Sequence, residues 1–429
     1  FGPSHILISA ARNAYTLPLM FSPHVRICLL AFTLDFAVMI GMIVTPFFVM
    51  NQLGGTTQTA GIFGAVGSAV YASSALISAS FVSRTKNGLN WAFGGILVFA
   101  IFYTMMALFS DWRVSLAVSC IGSAALSLVW PALHSWVGAE PNLARRARTM
   151  SWFNISWSFG FSLSPLVAGP LYDTNYAYAF AALFCIAIVA LLLVKSLPHE
   201  SAHFDAPTDE LLLERADDDR ASEIFLYSGW CATFMANMMA GGLRFTYPKR
   251  IDDLVSAGEL RLLWEATPAE FLTKAPATNF SYLAFAFSFA TALTFLYVGR
   301  TNWWKHRFAV LALTQVASAA AFYALGKTQS LIIMCLCCAV VGVFLGLAFF
   351  SATYYSIASA AHKHVRASIN EASVGFGGFL GSLACGMLAE RYGVVTPFLY
   401  APVLLAVGIA AQWMLLEFGK LRQPTHSSR

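Results

Sequence analysis

Three ionisable residues stand where an apolar chain has least use for charge. Asp35 is the one charged residue between Arg26 and Arg84, and Leu34 and Phe36 flank it. Arg244 lies near the end of the apolar run 224–247, and Glu371 near the start of 369–389. Holding such a group in hydrocarbon costs about 2.5–3.5 kcal/mol on insertion scales, so each implies a use. A carboxylate there can take up and release a proton as its surroundings alternate between wet and dry. It can equally hydrogen-bond a neighbouring helix or serve a cationic ligand. Arg244 either binds an anionic group or snorkels toward the outer membrane surface. Glu371 follows Arg366 by five residues and Asn370 by one, so it is either half of a local ion pair or a second proton site.

Uncharged polar and aromatic groups supply the rest of a candidate binding surface. Trp130 and His134 are four residues apart and share a helix face. Asn154 and Trp157 follow in the next apolar stretch. These four either pack between helices or line a cavity. A cavity so lined is aromatic and nearly uncharged, which suits a hydrophobic or amphipathic solute better than a sugar or phosphate. No HExxH pair, phosphate-binding glycine loop or nucleophile–base pair is present, so the residues support neither an enzyme nor a cofactor. The eight cysteines fall inside apolar stretches and read as packing, not as a disulfide framework or a metal site.

The elements that must hold these residues follow from composition. Of 429 residues, 58% are hydrophobic and 11% charged, and mean hydropathy is +0.66. A soluble chain carries about 25% charged residues, so this is an all-α integral membrane protein. Crossing the hydrocarbon takes about 20 residues per helix. Charges and turn residues divide the chain into twelve such spans: 27–50, 58–82, 89–109, 114–137, 149–172, 176–194, 224–247, 279–299, 308–326, 329–358, 369–389 and 394–416. The domains expected are an N-terminal segment 1–26, a six-helix bundle 27–196, an acidic linker 197–223, a second bundle 224–417 with an insertion 249–276, and a tail 418–429. With the N-terminus inside, 18 of the 26 Lys and Arg residues fall on the inner side, and five of the other eight sit in one long loop. By the positive-inside rule both termini face the cytoplasm of a multi-pass plasma (inner) membrane protein. The net charge of +5 is scattered, without a tract suited to nucleic acid.

The second half repeats the first. Asp35 and Pro46 correspond to Asn237 and Pro248 at an offset of 202, and Ser83-Arg84-Thr85 to Gly299-Arg300-Thr301 at 216. Gly160 and Gly169 correspond to Gly377 and Gly386 at 217. Asn237, which cannot titrate, either hydrogen-bonds a substrate or ties spans 7 and 8 together. Parallel repeats of this kind belong to one class of transporter, with the site at the midplane between the halves.

On these features the chain resembles the major facilitator superfamily over nearly its whole length. The superfamily's G-x-x-x-D-R-x-G-R-K motif after span 2 is reduced here to Arg84 within Ala79 to Asn87, and Arg300 marks its second copy without the acid. Span 5 is similar to the G-x-x-x-G-P-x-x-G-G of proton-coupled exporters, through Gly160, Pro165 and Gly169. Span 11 echoes it with Gly377, Gly381 and Gly386. The resemblance implies two pseudo-symmetric six-helix bundles and a secondary transporter working by alternating access. Its favoured mode is proton-coupled export (antiport) of a small amphipathic or hydrophobic molecule, with Asp35 as the coupling carboxylate. Uptake by the same fold is one rival. The other is a non-transporting membrane subunit that docks a protein partner through the 249–276 loop. In that loop Thr267, Pro268 and Glu270 read as a helix start, and two short helices on the outer membrane surface are expected.

Overall fold

The computed structural model describes residues 22–82, 88–138, 140, 143–198, 216–263, 270–358 and 363–421. Where no water reaches the backbone, each N–H and C=O must be satisfied within its own segment, so long apolar stretches fold as helices. In chain order these are α1 (Pro23–Asn51), α2 (Thr57–Val82), α3 (Gly88–Met105), α4 (Trp112–Leu126), α5 (Val129–Gly138), α6 (Leu143–Leu163) and α7 (Pro165–Thr174). The series continues with α8 (Tyr176–Ser196), α9 (Ala216–Ser256), α10 (Pro276–Gly299), α11 (Phe308–Lys327), α12 (Leu331–Ala358), α13 (Lys363–Tyr392) and α14 (Thr396–Leu421). The α6–α7 break falls at a proline, whose missing N–H cannot continue the ladder. Pro165 opens α7 directly after Ser164.

Ten stretches are long and apolar enough to cross a membrane. The two expected spans outside this set are α6–α7 and α9. The first is divided at Ser164 and enters with Arg145 and Arg148, and α9 carries Asp217 to Asp219 at one end and Lys249 to Asp253 at the other. Both are helical, and their charged ends set them apart from the ten.

Within the first half, α1 is enclosed by α6 and α8; within the second, α9 lies against α12, α13 and α14. The halves meet where α2 packs on α13 and where α10 packs on α6 and α7. The repeat seen in the sequence is a repeat in space. A Cβ added to Gly160 would strike the carbonyl oxygen of Phe32, and one added to Gly377 would strike that of Phe234. The pairs are related by the offsets of 202 and 217 found in the sequence. Pro46 and Pro248 both lie inside their helices.

One end of the bundle, here the near end, holds the start of α1. There Arg26 donates to the Ser196 carbonyl and Gly419 of α14 lies beside Ile224 at the start of α9. The opposite end is the far end.

Two boundaries differ from the sequence expectation. The linker is shorter than 197–223, because α9 already begins at Ala216 and takes in the three aspartates, and acids are favoured in a helix's first turn. Among its described residues, the insertion forms no separate surface α-helix. α9 runs on to Ser256, supported by Lys249 paired with Asp252 (3.5 Å) and Asp253 (2.8 Å). Gly258, at φ +65°, then turns the chain out of the helix. Leu260 and Leu272 are buried, Arg261 bridges to Ser330 in parallel register, and Glu270–Leu272 form a single 3-10 turn. Burying those leucines and pairing the backbone ties the loop to the protein. Thr267 and Pro268 lie outside the described residues, as do residues 1–21, 199–215 and 422–429.

Candidate functional site

Asp35 sits at mid-length in α1, next to the fully buried Leu34. The break between α6 and α7 clasps this turn. Gly160 lets the α6 backbone reach Phe32, and the Ser164 hydroxyl donates to the Phe36 carbonyl at 2.7 Å. Asp35 is 7% exposed and has no hydrogen-bond or ion-pair partner among the described residues. Tyr71 of α2 lies within electrostatic reach of both Asp35 and Glu371. The three groups therefore share one polar region between α1, α2 and α13.

The repeat partner Asn237 donates from Nδ2 to the Thr233 carbonyl at 2.9 Å, tying its amide to its own helix. Its Cβ abuts Gly377 of α13, which places span 11 beside it. Arg244 turns inward. Its guanidinium lies 5.4 Å from the Phe161 ring centre and 5.6 Å from that of Phe287, between α6 of one half and α10 of the other. That position excludes snorkelling to the membrane surface in this conformation. Its Nε is buried and has no partner.

Closer to the near end, Glu371 and His134 are exposed. His134 stands beside Trp130 (6.4 Å between ring centres) and edge-on to Phe153 (5.4 Å). Asn154, also exposed, accepts from Trp157 Nε1 at 3.2 Å, and the Trp157 ring meets Phe295 across the two halves at 5.8 Å. The local ion pair expected for Glu371 does not form. Arg366 instead pairs with Glu223 of α9 at 2.8 Å, because the start of α9 presents an acid that sequence distance conceals.

The far end is closed by a duplicated contact. Gly169 of α7 packs on Ala277 and Ser281 at the start of α10, while Gly386 of α13 packs on Thr57 and Gly61 at the start of α2. Beside each glycine an acid reaches across the halves. Asp173 accepts from the backbone N–H groups of Ala277 (3.2 Å) and Thr278 (2.7 Å) and from the Thr278 hydroxyl (2.6 Å). Glu390, at the same offset of 217, accepts from the Thr57 hydroxyl at 2.8 Å. A carboxylate on free N–H groups at a helix start is favoured by both hydrogen bonding and the helix dipole.

Sequence reasoning overlooked Tyr71, Phe161, Phe287, Asp173 and Glu390. The repeat offset alone could have found the last two. Of the motif residues, Arg84 lies outside the described residues, Arg300 sits in an exposed turn after α10, and Gly381 packs on the Met238 carbonyl.

A family model of the major facilitator superfamily matches residues 27–256, more than half of the chain. No curated protein matches it. Among solved structures, the chain resembles a bacterial homologue of the human lysosomal transporter Spinster in an inward-facing, unoccupied conformation. Identity is 13% and the TM-score 0.70, covering 94% of this chain and 98% of that one. The nucleoside transporter NupG is 14% identical, with a TM-score of 0.68 over 92% of this chain and all of that one (100%). A POT family transporter in complex with a thioalcohol-conjugated peptide is 15% identical, with a TM-score of 0.67 over 93% and 96%. At such identities the likeness establishes the fold. With the family model spanning most of one half and the start of the next, and the second half repeating the first, the chain belongs to the major facilitator superfamily, whose members are membrane transporters and not enzymes.

Proposed function

We propose that this chain is a secondary active transporter with twelve membrane-crossing segments, the ten apolar ones together with α6–α7 and α9. Its two halves rock about the cavity that contains Asp35. The observation that carries this reading is the contrast between the ends. The far end is held by two pseudo-symmetric glycine contacts and two acid bridges between the halves, whereas the polar residues Glu371, His134 and Asn154 nearer the other end are exposed. A cavity sealed at one end and reached from the other is one of the two states that alternating access requires.

In this reading Asp35 is the coupling carboxylate. It is the acid most deeply withdrawn into the contact region of α1, α2 and α6, and its access to water would change as the halves rock. Glu371, exposed in the same polar region, hands protons between Asp35 and the near-end water. Asn154, Trp157, Trp130 and His134 line the path of a small amphipathic or hydrophobic solute, and Asn237 and Arg244 meet it at mid-depth. The lysine and arginine bias supports cytoplasmic termini in the plasma membrane, which makes the near end cytoplasmic. The span 5 glycines and proline support export as the favoured direction. Leu260 and Leu272 of the 249–276 segment are buried against the protein, which supports a transporting role over a docking one.

The test uses purified protein in liposomes that enclose a pH-sensitive dye. A thermal-shift screen of chemically diverse solutes at two pH values first supplies the ligand. Adding that ligand should then move protons, and an imposed pH gradient should drive the ligand. Ligand flux that ignores the gradient would remove the coupling claim.

A further inference from the structure

We infer that Arg244 forms an anion-binding site, and that the solute carried is an organic monoanion with an apolar body, such as an aryl or alkyl carboxylate. The inference rests on the transport reading above and adds the substrate's charge and shape. Arg244 stands between Phe161 and Phe287, which come from opposite halves of the molecule. Both rings lie within cation–π reach of the guanidinium. They attract the cation but leave its N–H edge unused, because that edge bonds only to acceptors lying in the same plane. The protein supplies no such acceptor. Nε is buried without a partner, and Arg244 has no hydrogen bond or ion pair among the described residues.

The side chain as a whole is only partly covered. A carboxylate or sulfonate fits that edge with two parallel hydrogen bonds, a geometry an ammonium or a hydroxyl cannot match. The flanking rings suit an apolar body attached to the anion. A dianion such as a phosphate ester would need a second cation, and none stands beside Arg244 among the described residues. The placement also gives the ligand a mechanical role. Because the rings belong to α6 and α10, an anion held on Arg244 touches both halves at once.

The experiment compares three probes of one shape: 4-phenylbutyrate, 4-phenylbutyramide and 4-phenylbutylammonium. Saturable thermal stabilisation of the purified full-length protein is measured without any gradient. The carboxylate should bind at least about tenfold more tightly than either relative, as one charge-assisted contact implies. Arg244→Gln should abolish that preference, and Arg244→Lys should retain part of it. Should Arg244→Gln not fold, Phe161→Leu and Phe287→Leu provide a second reading, each weakening all three probes alike. Equal or tighter binding of the amide or the ammonium overturns the inference. So does an unchanged carboxylate preference in Arg244→Gln, or no saturable carboxylate binding at millimolar concentration. Because no gradient is present, these outcomes are separate from a failure of proton coupling, which only the liposome experiment reads.

Discussion

The two halves of this molecule share a skeleton and differ in their chemistry. In the first, Gly160 meets the Phe32 carbonyl; in the second, Gly377 meets that of Phe234. One turn on, Ser164 hydrogen-bonds the Phe36 carbonyl, and its equivalent Gly381 packs on that of Met238. The polar residues held by these contacts have diverged. Asp35 is matched by Asn237, and at the offset of 217 Asn154 is matched by Glu371. Each half thus keeps one acid and one amide, in exchanged positions. Arg244 has the apolar Met42 as its counterpart at 202. Backbone contacts duplicated in this way suit two bodies that move as mirror partners, while the exchanged polar groups let only one half present a deeply buried acid.

The largest effect tests the shared skeleton. Valine at Gly160 or at Gly377 forces a side chain into a carbonyl of the neighbouring helix, and overpacking of this kind costs about 1–3 kcal/mol. Both variants should lower the unfolding midpoint in detergent by similar amounts. A variant that is harmless in one half and severe in the other would break the structural equivalence.

Next comes the far end, where the two acids make unequal contacts. Asp173 receives three donors and Glu390 one. Removing Asp173 with alanine should release about 1–3 kcal/mol of closure, and Glu390→Ala about 1 kcal/mol. Spin labels on the exposed Leu108 and Lys274 should report more of a longer far-end distance in Asp173→Ala than in Glu390→Ala. Equal distributions in both variants and wild type would mean that neither acid holds the seal.

A smaller effect separates the acids of the two halves. Glu371→Gln should slow proton-linked transport several-fold without abolishing it, read as the initial rate under a fixed gradient. The smallest is Asn237→Asp, which adds a carboxyl group where the amide bonds its own helix. It should leave the proton-to-solute ratio unchanged.

Much of the skeleton was legible in the sequence, because repeat offsets and apolar spans survive in one dimension. The burial of Asp35 was legible for the same reason, since a lone charge inside a long apolar run lies on a helix that the membrane or the protein must cover. Phe161 and Phe287 were not, since 36 phenylalanines offer no local sign of which two will face a guanidinium. The direction taken by Arg244, inward or toward the membrane surface, depends on the space between helices from different halves. The pairing of Arg366 with Glu223 links residues 143 positions apart, and the nearer Glu371 was the natural partner on sequence alone. That Leu260 and Leu272 would be buried was not legible, because such leucines look alike whether they face lipid or protein.

The central claim is that Asp35 couples solute movement to protons. In liposomes, the Asp35→Asn protein is given labelled solute in two ways, by exchange against unlabelled solute at equal pH and by accumulation against an imposed pH gradient. Exchange should persist, because the cavity and Arg244 are intact, and gradient-driven accumulation should fall to the level of empty liposomes. Accumulation by Asp35→Asn at the wild-type rate would contradict the account.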